Sequence, residues 1–87
     1  MSIQLIYNSD QYCVVELSPN GEHDALRYGA YEIFGKSLKR ELFIGGIDAV
    51  MFRRDVSDLI ASDPSFEEID DFLNQFEGQM HLPLHLH

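Results

Sequence analysis

Residues 30–44, Ala30-Tyr31-Glu32-Ile33-Phe34-Gly35-Lys36-Ser37-Leu38-Lys39-Arg40-Glu41-Leu42-Phe43-Ile44, admit two readings, and the choice between them decides the fold. With Leu26 ahead of the stretch, Leu26, Ala30, Ile33, Phe34, Leu38 and Leu42 recur at three- and four-residue spacing, while Glu32, Lys36, Lys39 and Arg40 gather opposite them. That is the pattern of an amphipathic helix. The other reading makes Tyr31 to Phe34 and Leu38 to Ile44 a hairpin, or breaks the helix near Gly29 with a strand at Leu42 to Ile44. Gly29 and Gly35 favour it, since each costs a helix about 1 kcal/mol relative to Ala. The polar positions 32, 36, 39 and 40 do not alternate as strand positions should, so the expectation is a helix near residues 22–44.

On the N-terminal side, Ile3 to Tyr7 and Tyr12 to Leu17 are runs of β-branched and aromatic residues joined by Asn8-Ser9-Asp10. Such a spacer turns readily, because its side chains bond the local backbone, and the pair reads as a hairpin over residues 3–17. Alternation places Ile3, Leu5 and Tyr7 with Cys13, Val15 and Leu17 in the inward row. The reverse face holds Gln4 and Glu16 but also Ile6, Tyr12 and Val14. Three large apolar side chains need cover, as does a two-stranded hairpin by itself. Ser18-Pro19-Asn20-Gly21 ends the hairpin.

On the C-terminal side, Gly45-Gly46 stops the first helix, and Ala49, Phe52, Val56, Leu59 and Ile60 outline a second near 47–61. Ser62-Asp63-Pro64 separates it from a third near 65–79, marked by Phe66, Ile69, Phe72, Leu73, Phe76 and Met80. Ser65 and Glu68 have the capping-box spacing, with Asp63-Pro64 as a competing start. The alternating tail 81–87, Leu82-Pro83-Leu84-His85-Leu86-His87 after His81, suits an extended edge segment able to dock on the hairpin. The expected fold is therefore α+β: one small domain, residues 1–87, with an N-terminal β-hairpin, extended or not by a C-terminal strand, packed against three helices.

Charge and composition narrow the function classes. At 87 residues, 45% hydrophobic, the chain suits one folded domain that hides only roughly 60–65% of its unfolded surface. The net charge is −9, unevenly spread. All six basic residues (Arg27, Lys36, Lys39, Arg40, Arg53, Arg54) fall in 27–54 against Glu32, Glu41 and Asp48, a net +3, whereas the eight charges after Arg54 are all acidic. Blocks of opposite sign attract within a chain or between two, although exposed ion pairs are individually weak. The lone Cys13 makes no internal disulfide, and Met1 to Leu5 lack a signal-peptide pattern, so a cytoplasmic protein is expected. No apolar run is long enough to span a membrane.

The chemistry-bearing residues are few. His81, His85 and His87, beside Glu77, are the candidate metal ligands; no fourth ligand has a recognisable spacing, so no bound metal or other cofactor is expected. Cys13 has no histidine beside it in sequence and reads as a small core hydrophobe. There is no Gly-x-Ser-x-Gly turn, phosphate-binding loop or calcium loop, which leaves an enzyme without nucleophile, base or cofactor motif. Nucleic-acid binding would use the basic block, with Arg53-Arg54 on the second helix of a helix-turn-helix closed by the glycines, but a charge of −9 opposes it. The remaining reading is a self-associating protein-interaction module, a homodimer or small regulatory or adaptor protein. Its contact surface would be Ile6, Tyr12 and Val14, with Lys36, Lys39, Arg40, Arg53 and Arg54 as the charged complement.

Tyr7-Asn8-Ser9-Asp10 with Tyr12-Cys13-Val14-Val15-Glu16, then Tyr31-Glu32-Ile33, Lys39-Arg40-Glu41, Phe72-Leu73-Asn74-Gln75-Phe76 and the final Leu86-His87 carry a resemblance over nearly the whole chain. In these residues the sequence resembles a family of small uncharacterised proteins, found mainly in proteobacteria and known as a domain of unknown function. The resemblance implies a bacterial cytosolic domain and brings no catalytic residue or cofactor with it.

Overall fold

Tyr31 and Ile33 decide residues 30–44 in favour of the hairpin. In the computed structural model, which describes residues 2–19 and 27–82, Tyr31, Ile33 and Gly35 face the core on alternate positions, as only a strand allows. The chain forms an antiparallel sheet of four strands in sequence order: β1 Ile3–Asn8, β2 Tyr12–Leu17, β3 Ala30–Gly35 and β4 Arg40–Ile44. Among the described residues two helices follow, α1 Gly46–Ala61 and α2 Phe66–Asn74, and then a 3₁₀ turn at Glu77–Gln79. The α+β class stands. The expected helix at 22–44 does not, because its described part, from residue 27 on, is the β3–β4 hairpin; its first residues lie outside the described ones. The helical spacing misleads because β3 carries apolar side chains on both faces, with Phe34 opposite to Tyr31 and Ile33, and this hides the period of two.

The β1–β2 hairpin forms where expected, as half of a larger sheet, with one irregularity. Leu5 pairs with Val15 and Tyr7 with Val14, leaving Ile6 as an extra residue in a bulge. The bulge moves Tyr7 onto the same face as Tyr12 and Val14. The two helices cover that face and build the core on it, from Tyr12, Val14, Tyr31, Ile33 and Ile44 of the sheet with Ala49, Phe52, Leu73 and Met80. Phe52 sits at the junction: its ring lies 4.8 Å from that of Tyr31, 5.6 Å from Phe76 and 6.0 Å from Phe72.

Helix α1 runs over the residues its stripe predicts. Helix α2 starts at the expected cap, where Ser65 Oγ accepts from Glu68 N at 3.2 Å and Glu68 Oε1 accepts from Ser65 N at 3.3 Å. It ends at Asn74, short of the expected 79, and the chain tightens into the 3₁₀ turn. His81 then pairs with Glu41 through two backbone hydrogen bonds of 2.9 and 3.0 Å, closing the outer edge of β4. Residue 81 thus pairs on β4; residues 83–87, on which the expected docking on the hairpin falls, lie outside the described residues.

Gly29, at the entry to β3, has φ +82°, and a Cβ there would stand 2.8 Å from Arg53 Nη2 and 3.1 Å from the Leu17 carbonyl oxygen. The left-handed backbone alone costs a side chain about 1–2 kcal/mol. Gly29→Ala is expected to destabilise by roughly 2 kcal/mol and to lower the melting temperature by about 10 °C in a circular-dichroism melt.

Candidate interaction surface

The expected contact residues do not form one surface. Tyr12 and Val14 are each only 2% exposed, under the chain's own helices, and cannot be a contact face. Ile6 alone of the three apolar candidates reaches the surface, at the bulge, 41% exposed. The basic candidates lie in two places. Lys36, Lys39 and Arg40 sit at the β3–β4 turn, where Lys36 Nζ donates to Asn8 Oδ1 and, at 2.6 Å, to the Ser9 carbonyl, tying the two hairpin turns together. Arg53 lies toward the far end of β3, donating from Nε to Tyr31 Oη at 2.8 Å and from Nη2 to the Tyr28 carbonyl at 2.6 Å, with its guanidinium 5.5 Å from the Tyr31 ring centre. Arg54 is exposed, 3.9 Å from the adjacent Asp55. The helix-turn-helix expected around Gly45-Gly46 is absent, since its first helix is a pair of strands.

His81 uses its backbone to hold β4, and its Nδ1 lies 3.2 Å from the Leu82 carbonyl oxygen. His85 and His87 lie outside the described residues, among which no group of three or more His, Cys, Asp or Glu could hold a metal ion. Cys13 is half-buried on the uncovered face.

That uncovered face is where the sequence-based assignment of inside and outside inverts. No described element lies over it. The cross-strand pairs Leu5–Val15, Val15–Glu32 and Glu32–Phe43 form one row across all four strands, and Cys13–Phe34 and Phe34–Glu41 a second. Beyond them Ile3 pairs with the half-buried Leu17 and Leu17 with Ala30, which is fully buried, so the exposed part of the face is its Ile3, Leu5 and Phe43 positions. The face is thus largely apolar, and Ile3, Leu5 and Phe43 are exposed on it. Its alternation was readable from Ile3, Leu5, Cys13, Val15 and Leu17, which the sequence reading took for the core row. The assignment is reversed because the helices cover the other face; the bulge at Ile6 then moves Tyr7 across to join Tyr12 and Val14.

Polar contacts line the rim of the covered face. Asp70 on α2 accepts from Tyr7 Oη and from Ser9 Oγ, both at 2.8 Å, clamping the β1–β2 turn to the helix. Beside this clamp an open groove of about 740 Å³ is lined by Asp10, Lys36, Glu67 and Asp71 among others. Tyr12 Oη lies 2.5 Å from Asn74 Oδ1 and 2.6 Å from Glu77 Oε1. A phenol has one proton; it goes to the carboxylate, and the Asn74 amide meets the same oxygen best when rotated to present its NH2 group. Burial, then the hydrogen bond to Glu77, raises the Tyr12 pKa well above the ordinary phenol value. Burial also raises those of Tyr7, helped by Asp70, and Tyr31, helped by Glu16.

Because these phenols ionise less readily folded than unfolded, their contribution to stability is full below pH about 10 and is lost as pH rises through the folded values. Tyr12→Phe is expected to cost about 1 kcal/mol at neutral pH and to flatten the fall of urea-unfolding free energy above pH about 10. Val14→Asp, by contrast, puts an unpaired charge in the core and should prevent folding, visible as loss of the circular-dichroism transition.

Set against known proteins, the chain is 48% identical over 85 residues to Protein BTH_I0359 of Burkholderia thailandensis, an alignment covering 98% of this chain and all of that protein. No solved structure matches it significantly. Over residues 3–87 the sequence matches the family described as protein of unknown function DUF3567. With this match, and a relative near half-identical over almost its whole length, the chain belongs to the DUF3567 family.

Proposed function

We propose that this chain is a non-enzymatic protein-interaction module, a small cytoplasmic regulatory or adaptor protein, whose contact surface is the uncovered face of its sheet. The observation that carries the reading is the pair of helices packed on one face while the other keeps Ile3, Leu5, Val15 and Phe43 in continuous rows. Soluble proteins rarely leave contiguous apolar surface of this kind without a partner for it. Glu32 and Glu41 lie within the rows and give the surface a polar component, as protein interfaces have. The lone cysteine and the lack, among the described residues, of any helix able to cross a membrane support the location.

The test is native mass spectrometry of protein purified directly from cells, compared with a Val15→Thr, Phe43→Ser double variant. The expected result is a second polypeptide bound in stoichiometric amount, whose affinity falls roughly tenfold or more in the variant with little change in melting temperature. A different polypeptide that the variant retains in full, or no different polypeptide in either preparation, overturns the reading.

A further inference from the structure

The two edges of the sheet differ. Glu41 and His81 close the β4 edge with paired backbone hydrogen bonds, and Arg40 and Glu41 put charge on that strand. Strand β1, Ile-Gln-Leu-Ile-Tyr-Asn over residues 3–8, carries no charge and no proline, and no described backbone group pairs along its outer edge. An edge of this kind is a template for another strand; proteins usually guard it with Lys, Pro, inward charges or β-bulges, and of these β1 has only the bulge. Its one irregularity, the bulge at Ile6, displays an apolar side chain.

Apolar shoulders flank this edge on both faces. Ile3 and Leu5 stand on the uncovered side, 66% and 54% exposed. On the helix side are Ile60 and Phe66, 56% and 69% exposed. Ile60 shares a small apolar groove with Ile6 and Tyr7, and the Phe66 ring meets that of Tyr7 edge-on at 5.8 Å. Five exposed apolar side chains, Ile3, Leu5, Ile6, Ile60 and Phe66, thus lie along this strand, while others such as Ile47 and Leu82 are exposed elsewhere.

We infer that β1 pairs antiparallel with the β1 of a second copy, joining two sheets into one continuous sheet with a doubled uncovered face. This rests on the reading of that face as a contact surface and says how it is enlarged. A second copy fits because an isologous two-fold contact needs the same patch twice, and an uncharged strand sets no like charges opposite each other. The antiparallel sense fits the charges. Asp10, Glu67, Asp70 and Asp71 outweigh Lys36 at the Asn8 end of β1, whereas toward the Ile3 end Glu16 and Arg53, which meet at the Tyr31 hydroxyl, offset each other. Antiparallel pairing sets each acidic end beside the partner's Ile3 end and keeps the two acidic ends apart. The five exposed side chains from each copy, with the strand backbones, bury on the order of 1,000 Å² in all, the lower end for a specific interface. At −9 per copy the dimer tightens as salt screens the repulsion.

Sedimentation velocity from low to several hundred micromolar, with hydrogen exchange at the two extremes, tests this on the full chain. The expected result is a monomer–dimer equilibrium, slower exchange of β1 amides at high concentration, and a dissociation constant raised roughly tenfold or more by Ile60→Glu with Phe66→Glu. Both residues are exposed, so the variant keeps its melt, and Val15→Thr with Phe43→Ser changes the constant less than about twofold. A monomer throughout, with β1 exchange independent of concentration, overturns the edge pairing yet leaves the module reading to its own bound-partner test. A dimer that survives the edge variant but is lost in the sheet-face variant also overturns it, because the copies then meet face to face.

Discussion

Two helices can roof one face of a four-stranded sheet and no more. Strands lie about 4.8 Å apart and packed helices 8–10 Å apart, so α1 and α2 side by side match the width of four strands and are used up on one side. Everything else follows from which side they take. Tyr12, Val14, Tyr31, Ile33 and Ile44 enter the core because the helices lie over them. Leu5, Val15 and Phe43 remain outside, although they are no less apolar.

The layers are held in register by tyrosines. The rings of Tyr7, Tyr12 and Tyr31 lie in or against the core, while their hydroxyls reach polar partners at its rim: Asp70, Glu77 with Asn74, and Glu16 with Arg53. An amphipathic ring of this kind supplies buried area and a directional bond together. Sliding a helix along the sheet would keep much of the apolar contact but would break these bonds, so they fix position where hydrophobic burial alone would tolerate several. Among the described residues no buried side-chain polar atom is left without a partner.

The sequence made some of this legible and hid the rest for physical reasons. Helices α1 and α2 show in the spacing of Ala49, Phe52 and Val56 and of Phe66, Ile69 and Leu73, and the Ser65–Glu68 cap is a local device that needs no tertiary information. Residues 30–44 are different: a central strand beside an apolar outer face lacks polar alternation, so local pattern cannot separate strand from helix, and the need of β2 for a second neighbour decides. Alternation separates the two faces of the first hairpin but does not say which one the helices cover, and that choice decides the candidate surface. A bulge cannot be seen in alternation, and the extra Ile6 exchanges the faces for everything that follows it in β1.

The Asp70 clamp joins residues 61 and 63 positions apart, and the Tyr12 bonds reach 62 and 65 positions. All four strands precede both helices in the chain. The complete sheet and α1 are therefore made before α2, and until that helix docks the core face has only α1 to cover it. A helix near the end of the chain thus locks the hairpin at its start, so the first-made segment is secured only when nearly the whole chain is available.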